Sequence, residues 1–426
     1  MASKIILFLS TFNSRSTENT YTCPDGSAVL GTQTNDAPVR YLLQAHHNVQ
    51  KIICVVTTQA RETIWDYFQN IVREAAPKAE IISVQYEEDE NFSEKAIPAV
   101  LEHTQSDDDI FLDVTGGFRN ANMYLLLLSR VLSYKGIHTA GAVYSNFQTK
   151  TVEDISHLIK LFDLVGGMQE LTSFGNVRTL RSYYDQQARR NPPGSKTITN
   201  LLSSMERLTE TITLCRTRQI EERLNQFNAA LTDAENCEDP LMRTLLPVFR
   251  EKFGRKMTIP GLIKWCVENG MIQQALTIYK ERIPTYLIRD RKDILEVKSG
   301  AAGLENANAY QNEDEAWFYE YLLPSLKSRS SLELDADTLY TYFEPKCSIL
   351  KLKEILMDYL YIRALRNMIH HANDSSTESQ KRIEEYLFHE SPQYKRLENV
   401  KLEDVKKALL TGLDHLKISN RRGKRK

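Results

Sequence analysis

The sequence predicts an α/β Rossmann-like N-terminal domain followed by an all-α connector and a C-terminal helical domain. Three observations carry this. Over roughly the first third of the chain, continuously apolar β-rich runs alternate with amphipathic helical segments. After about Leu180 only helical periodicity persists. The 426 residues also exceed what a single core usually supports.

The expected strands are "KIILFLS", "KIICVVT", "EIISVQY", "DIFLDVTG" and "TAGAVYSNF". Between them lie the helical segments "APVRYLLQAHH", "RETIWDYFQNIVREAA", "FSEKAIPAVLEHTQ" and "RNANMYLLLLSRVLSYKG". Strands apolar at successive positions belong to a parallel sheet covered on both faces. The connection from Thr11 to Asp36 far exceeds the roughly 2–6 residues usual for a βα loop. Inside it "TYTCPDGSAVL" reads as a hairpin around Pro24-Asp25-Gly26. Insertions at the C-terminal ends of parallel strands often bind ligands, so this one is expected to act as a lid.

Further on, "ITNLLSSMERLTETITLCRTRQIEERLNQFNAAL" and "IKWCVENGMIQQALTIYKERI" have helical periodicity, and no convincing strand follows. "RRNPPGSKT" at Arg189 breaks the helical region, and "KSGAAGLENANAYQNEDE" at Lys298 reads as a loop. The tail "RRGKRK" is either a frayed solubilising end or an RNA-steering one.

With 42% hydrophobic residues, 26% charged residues and a net charge of −2, the composition is that of a globular protein. It argues against a protein that coats nucleic acid non-specifically, so any such contact is local. The 6 cysteines are scattered without a Cys-x-x-Cys spacing, which disfavours a zinc knuckle or redox motif and suits a reducing compartment. "MASKIILFLSTFN" is too short an apolar run for a signal peptide, and nothing approaches the roughly 18 apolar residues of a membrane span. A cytoplasmic protein without membrane contact is expected.

Two stretches carry candidate chemistry. In "DIFLDVTGGFRNANMYLL" the apolar strand ends at Thr115, Gly116 and Gly117, and a helix starts near Arg119 and Asn120. Glycines let a ligand approach the backbone, and a helix N-terminus with an arginine favours an anion. A merely tight βα turn is the alternative. The turn is neither G-x-G-x-x-G nor a phosphate loop ending in Gly-Lys-Ser/Thr, so a dinucleotide or ATP is poorly supported. Thr11 and Asn13, in the loop after the first strand, lie where the same guest could be reached.

The second stretch is "YIRALRNMIHHANDSS". Leu352, Ile355, Leu356, Tyr359, Ile362, Leu365 and Ile369 make one side of a helix, whose polar side near the end carries Arg366, Asn367, His370 and His371. Cations complementing the helix C-terminus are one explanation. The other is a metal-free ribonuclease site. A histidine then helps the 2′-hydroxyl attack or protonates the leaving 5′-oxygen, and an arginine stabilises charge building on the phosphate. Asn367 and His371 are one helical turn apart and can touch, whereas Arg366 and His371 diverge by about 140°. One helix alone does not turn the two toward each other; a second copy across a dimer is a natural remedy.

"DVTGGFRN", preceded by "GTQTNDAPVRYLL", resembles the CARF sensor domain, and "RNMIHH" resembles the Arg-(polar)-x-x-x-His motif of HEPN ribonucleases. The order of the two is similar to that in Csm-type ancillary ribonucleases of type III CRISPR systems. The resemblance implies a CARF sensor domain over 1–180, a helical connector over 181–297 and a HEPN ribonuclease domain over 298–426. It implies a homodimer that needs no cofactor, binds a cyclic oligoadenylate as allosteric activator and cuts single-stranded RNA without metal. No stable association with the CRISPR effector complex is expected. It assigns catalysis to Arg366, Asn367 and His371, and activator binding to Thr11, Asn13, Thr115, Gly116, Gly117, Arg119 and Asn120. Some family members cleave their own activator, for which Asn13 and Thr115 are candidates, although no general base is evident in the sequence. The "QTNDAPVRYLL" segment is similar to that of firmicute members and favours cyclic hexaadenylate over tetraadenylate. Two rivals stand beside this reading. A ligand-sensing transcription regulator requires a basic recognition helix, which the sequence lacks. A nuclease-dead HEPN scaffold more often lacks the Arg/His pair.

Overall fold

The computed structural model describes residues 2–11, 17–87, 90–117, 120–190, 196–253, 256–299, 304, 309–328, 332–370, 387 and 394–417. The chain divides into two compact units, Met1–Val165 and Gly166–Lys426.

In the first unit the chain runs β1 (Ser3–Phe8), β2 (Asn19–Thr22), β3 (Ala28–Gly31), α1 (Asp36–Ala45), β4 (Val49–Val56), α2 (Thr58–Thr63), α3 (Trp65–Ala75), β5 (Glu80–Gln85) and α4 (Ala96–Leu101). It continues through β6 (Asp109–Asp113), α5 (Ala121–Tyr134), β7 (His138–Asn146), β8 (Thr151–Asp154) and the start of α6 (Ser156–Phe174). One sheet holds all eight strands in the order β3-β2-β8-β7-β6-β1-β4-β5. The five expected strands, β1, β4, β5, β6 and β7, form its parallel part. Successive residues of β1 serve opposite cores. Ile5 and Leu7 pack with Val39 and Leu42 of α1 and with Phe68 and Val72 of α3. Ile6 and Phe8 pack with α4 and α5 through Val100, Leu125 and Leu128. That division is why the strand shows no polar alternation.

The sheet is mixed, not purely parallel. β8 returns antiparallel to β7, and the expected hairpin forms as β2 and β3, paired antiparallel. The hairpin joins the sheet edge, with Thr22 in register with Thr151 of β8. The expectation of a lid is corrected for this part of the insertion: from Asn19 to Gly31 it is a hairpin built into the sheet edge. The helical segment from Arg61 breaks into α2 and α3, and the one around Pro98 shortens to α4.

The second unit is mainly helical. It contains α7 (Arg178–Arg190), α8 (Lys196–Thr213), α9 (Ile220–Ala234), α10 (Pro240–Phe253), α11 (Ile259–Glu268) and α12 (Ile272–Asp290). Then come β9 (Leu295–Val297), α13 (Glu313–Trp317), β10 (Leu326–Ser328), β11 (Leu332–Leu334), α14 (Ala336–Tyr342), β12 (Phe343–Pro345), α15 (Ile349–His370) and α16 (Leu402–His415). The expectation of no strand here is corrected by two antiparallel ribbons, β9 with β12 and β10 with β11. At three residues per strand they are too short to show a period of two. No helix among the described residues is long and apolar enough to cross a membrane.

Candidate functional site

The strand order reverses at β1, which has β4 on one side and β6 on the other. The C-terminal ends of β1 and β6 therefore form the switch point at which open α/β sheets bind ligands. Ser10 and Thr11 follow β1, and Thr115, Gly116 and Gly117 follow β6. The two loops touch: the Gly117 N–H donates to Ser10 Oγ at 2.8 Å. Thr11, the residue after Ser10, is exposed. Asn13 and Arg119 lie outside the described residues.

Behind the turn sits a group that the sequence reading missed. The Asn35 side chain is wholly buried and saturates its hydrogen bonds. Its Nδ2 donates to Phe8 O at 3.1 Å and to Asp113 Oδ2 at 2.7 Å. Its Oδ1 accepts from the Ser10 N–H at 3.0 Å and from Gln33 Nε2 at 3.1 Å. One amide thus ties the ends of β1 and β6 to the start of α1. Gly116 packs against this bracket: a Cβ there would collide with Phe8 O and the Asn35 amide. Gly117 has φ +91, and its Cβ would meet Ala121 Cβ at 2.6 Å. The glycines expected to admit a ligand therefore admit the protein's own atoms, and the Gly117 N–H is already engaged.

Asp113, also wholly buried, accepts from the Thr115 N–H at 2.9 Å. Burial pushes its carboxyl up to about 6, opposed by hydrogen bonds from Thr115 and Asn35. The Thr115 hydroxyl oxygen in turn accepts from the Ser145 N–H at 2.8 Å. A carboxylate able to take a proton near neutrality thus stands directly behind Thr115, where the sequence offered no evident base. The signal was Asp113 itself, an acid closing the apolar run Ile110–Leu112. Asn120 stands at the N-cap of α5 without a side-chain capping bond; its Nδ2 donates to the Tyr124 hydroxyl at 2.8 Å, and its buried Oδ1 has no partner among the described residues.

In the second unit α15 carries Arg366 and Asn367, both half-buried near its end. Arg366 Nη1 donates to Asn367 Oδ1 at 3.4 Å, while the buried Arg366 Nε finds no acceptor among the described residues. His371 lies outside the described residues. The seven apolar residues expected on one side of α15 are buried except Ile369, which is half-buried, but so are Met357, Asp358, Leu360 and Tyr361. The one-sided pattern is corrected: mid-helix, α15 is enclosed all round.

Asp358 is the polar exception in that enclosed stretch. Its Oδ1 accepts from the Tyr394 hydroxyl at 2.7 Å, and its Oδ2 lies 2.5 Å from His415 Nδ1. An acid inside "ILMDYLYI" was the available sign of a buried charge needing partners, but the sequence could not say which.

No protein-family model and no curated protein matches the chain. Among solved structures, Enterococcus italicus Csm6 bound to cyclic hexa-2'-fluoro-hexa-dAMP is similar at 12% identity, covering 98% of this chain and 94% of that chain, with a TM-score of 0.37. Chains that superimpose so loosely need not share a function, so the functional reading rests on the residues themselves.

Proposed function

We propose that the chain is a cyclic-oligoadenylate-activated endoribonuclease of the CARF–HEPN kind, acting in type III CRISPR antiviral defence. The first unit is the sensor, with Thr11, Asn13, Thr115, Gly116, Gly117, Arg119 and Asn120 around the activator. Cyclic hexaadenylate is favoured over tetraadenylate on the resemblance of the segment that supplies Gln33 and Asn35. The second unit, from a helical connector into the HEPN domain, cuts single-stranded RNA with Arg366, Asn367 and His371 and needs no metal.

The observation that carries the reading is Arg366. A half-buried guanidinium whose Nε–H lacks an acceptor among the described residues is suited to a phosphate oxygen. Asn367 beside it can orient an imidazole one turn on. The supporting observation in the first unit is the switch-point crevice, in which the Asn35 bracket fixes the glycine turn.

The proposed assembly is a homodimer. On α5, Met123, Leu127 and Tyr134 recur at helical spacing on one exposed stripe, with Met123 71% and Tyr134 93% exposed. On α6, Leu158, Phe162 and Val165 do the same, and Arg130 joins the two helices through Asp163 at 2.9 Å. An apolar stripe this continuous fits a twofold contact, and a symmetric ring is well read by a twofold site. Self-limiting cleavage of the activator at Thr115, with Asn13 assisting, is a further part of the proposal; Asp113 supplies the nearby carboxylate.

The test is cleavage of a fluorogenic single-stranded RNA with and without cyclic hexa- or tetraadenylate, in the presence of EDTA. Ring-dependent cleavage that survives the chelator supports the proposal. Absence of cleavage with either ring overturns it, and loss of cleavage on chelation removes the metal-free mechanism.

A further inference from the structure

The ribonuclease motif sits at the end of a helix whose middle is anchored by one buried carboxylate. Asp358 is enclosed, its side chain only 2% exposed, and both its oxygens are engaged by groups distant in the sequence. Tyr394 reaches it from the segment before α16, and His415 from the last turn of α16. The same neighbourhood is stitched again nearby. The Tyr361 hydroxyl donates to Lys395 O at 3.1 Å, and Lys395 Nζ pairs with Asp404 Oδ1 at 2.7 Å. Gly412 lets α16 approach so closely that a Cβ would lie 2.6 Å from the Tyr279 hydroxyl and 2.9 Å from Ile362. Beside these groups a cavity of about 140 Å³ is lined by Asp358, Tyr361, Tyr394 and Lys407.

A charge this deep is costly unless fully paired, so its partners must be held in place while the chain is folded. Because Asp358 lies about two helical turns before Arg366, whatever fixes Asp358 also fixes the rotation and the axial position of the motif turn.

We propose that Asp358, clamped between Tyr394 and His415, is the positioning group of the ribonuclease site: it ties the interior of α15 to α16 and sets where Arg366 and Asn367 stand. The inference rests on the ribonuclease reading above. Neither Asp358 nor His415 touches the RNA.

The clamp is sensitive to pH in a definite direction. The hydrogen bond and charge of Asp358 raise the His415 imidazole above its ordinary value, against desolvation. The other charged groups around His415 are Lys351 and Glu354 from α15 and Asp414 on its own helix. Tyr279 of α12 lies close to Asp358 as a neutral phenol, held far above its usual range by burial, and the Tyr394 hydroxyl donates to Asp358. A raised cationic group contributes its full stabilisation below about pH 6.5 and loses it as pH rises through the folded value. The ionic clamp therefore loosens on the alkaline side, leaving at most a neutral hydrogen bond.

The experiment uses the full chain with saturating cyclic hexaadenylate. It compares the parent with His415→Ala, His415→Gln, Asp358→Asn and Tyr394→Phe. kcat and KM for RNA are read at a series of pH values upward from the ordinary histidine value of about 6.5. Hydrogen exchange of the amides in 359–370 is measured on the same samples. Displacing a catalytic turn by about 1 Å costs up to roughly a hundredfold in rate. The inference expects His415→Ala to lower kcat by tenfold or more on that scale, with KM little changed and the alkaline decline of the parent abolished. His415→Gln, which keeps a donor but no charge, should recover most of the neutral-pH rate without recovering the pH dependence. Exchange in 359–370 should quicken in His415→Ala and Asp358→Asn. An active parent whose His415 variants keep its kcat and pH profile would overturn the inference, as would unchanged exchange. A parent that cuts no RNA would instead defeat the ribonuclease reading, and the exchange data alone would then decide whether the clamp positions α15. If His415→Ala does not fold, His415→Gln and Tyr394→Phe carry the same comparison.

Discussion

Asp113 shows how one residue's surroundings tie its charge to stability and, on the proposed function, to activator affinity. Folding favours its protonated form, since burial lifts the carboxyl from 3.8 to about 6. The contribution of this one group to stability is therefore fully present below the ordinary carboxylate range, and roughly 3 kcal/mol of it is lost as pH rises through about 6. An anion bound above the glycine turn opposes the same ionisation, so activator affinity should rise as pH falls below about 6. Calorimetric titrations at two pH values check this, and equal affinities would count against an anion seated there. Asp113→Asn would turn an NH₂ toward the Asn35 amide donor, whose own oxygen is already taken. A destabilisation of about 1–3 kcal/mol is expected, read from a denaturant melt. In the second unit, His371→Ala should lower RNA cleavage by about 10²–10⁴-fold while activator binding persists. His370→Ala should be milder; the reverse order would transfer the acid/base role to His370.

Among the elements, β1, β4 and β6 were legible because both their faces are buried and continuous apolarity survives in the sequence, whereas β5 and β7, only partly covered, were legible from their β-rich composition between helical segments. β8 was not, since in "TVED" only Val152 is buried. α15 was legible as a helix but not as an enclosed one. Its ring of partners comes from α12, the Tyr394 segment and α16, none of which leaves a trace in local periodicity. The glycine turn was visible, yet its tenant was not. Asn35 is too far along the chain for spacing to link it to Gly116. Gly116→Ala tests that element directly: overpacking against Asn35 and Phe8 should cost about 1–3 kcal/mol and weaken activator binding. A variant as stable as the parent, with unchanged affinity, would show that the turn is not locked by this contact.

At the level of the whole molecule the proposal separates sensing from cutting and needs two copies of the chain. Met123→Glu with Leu127→Glu places charges on the apolar stripe and should shift sedimentation from dimer to monomer. The measurement that bears most directly on the separation is RNA cleavage rate against cyclic hexaadenylate concentration for the parent, Arg119→Ala and His371→Ala. The account predicts that Arg119→Ala moves half-activation to higher ring concentration but reaches the parent's maximal rate. His371→Ala should bind the ring as the parent does and cleave almost nothing at any concentration. Cleavage by His371→Ala at the parent's rate, or an activation curve for Arg119→Ala that superimposes on the parent's, would contradict it.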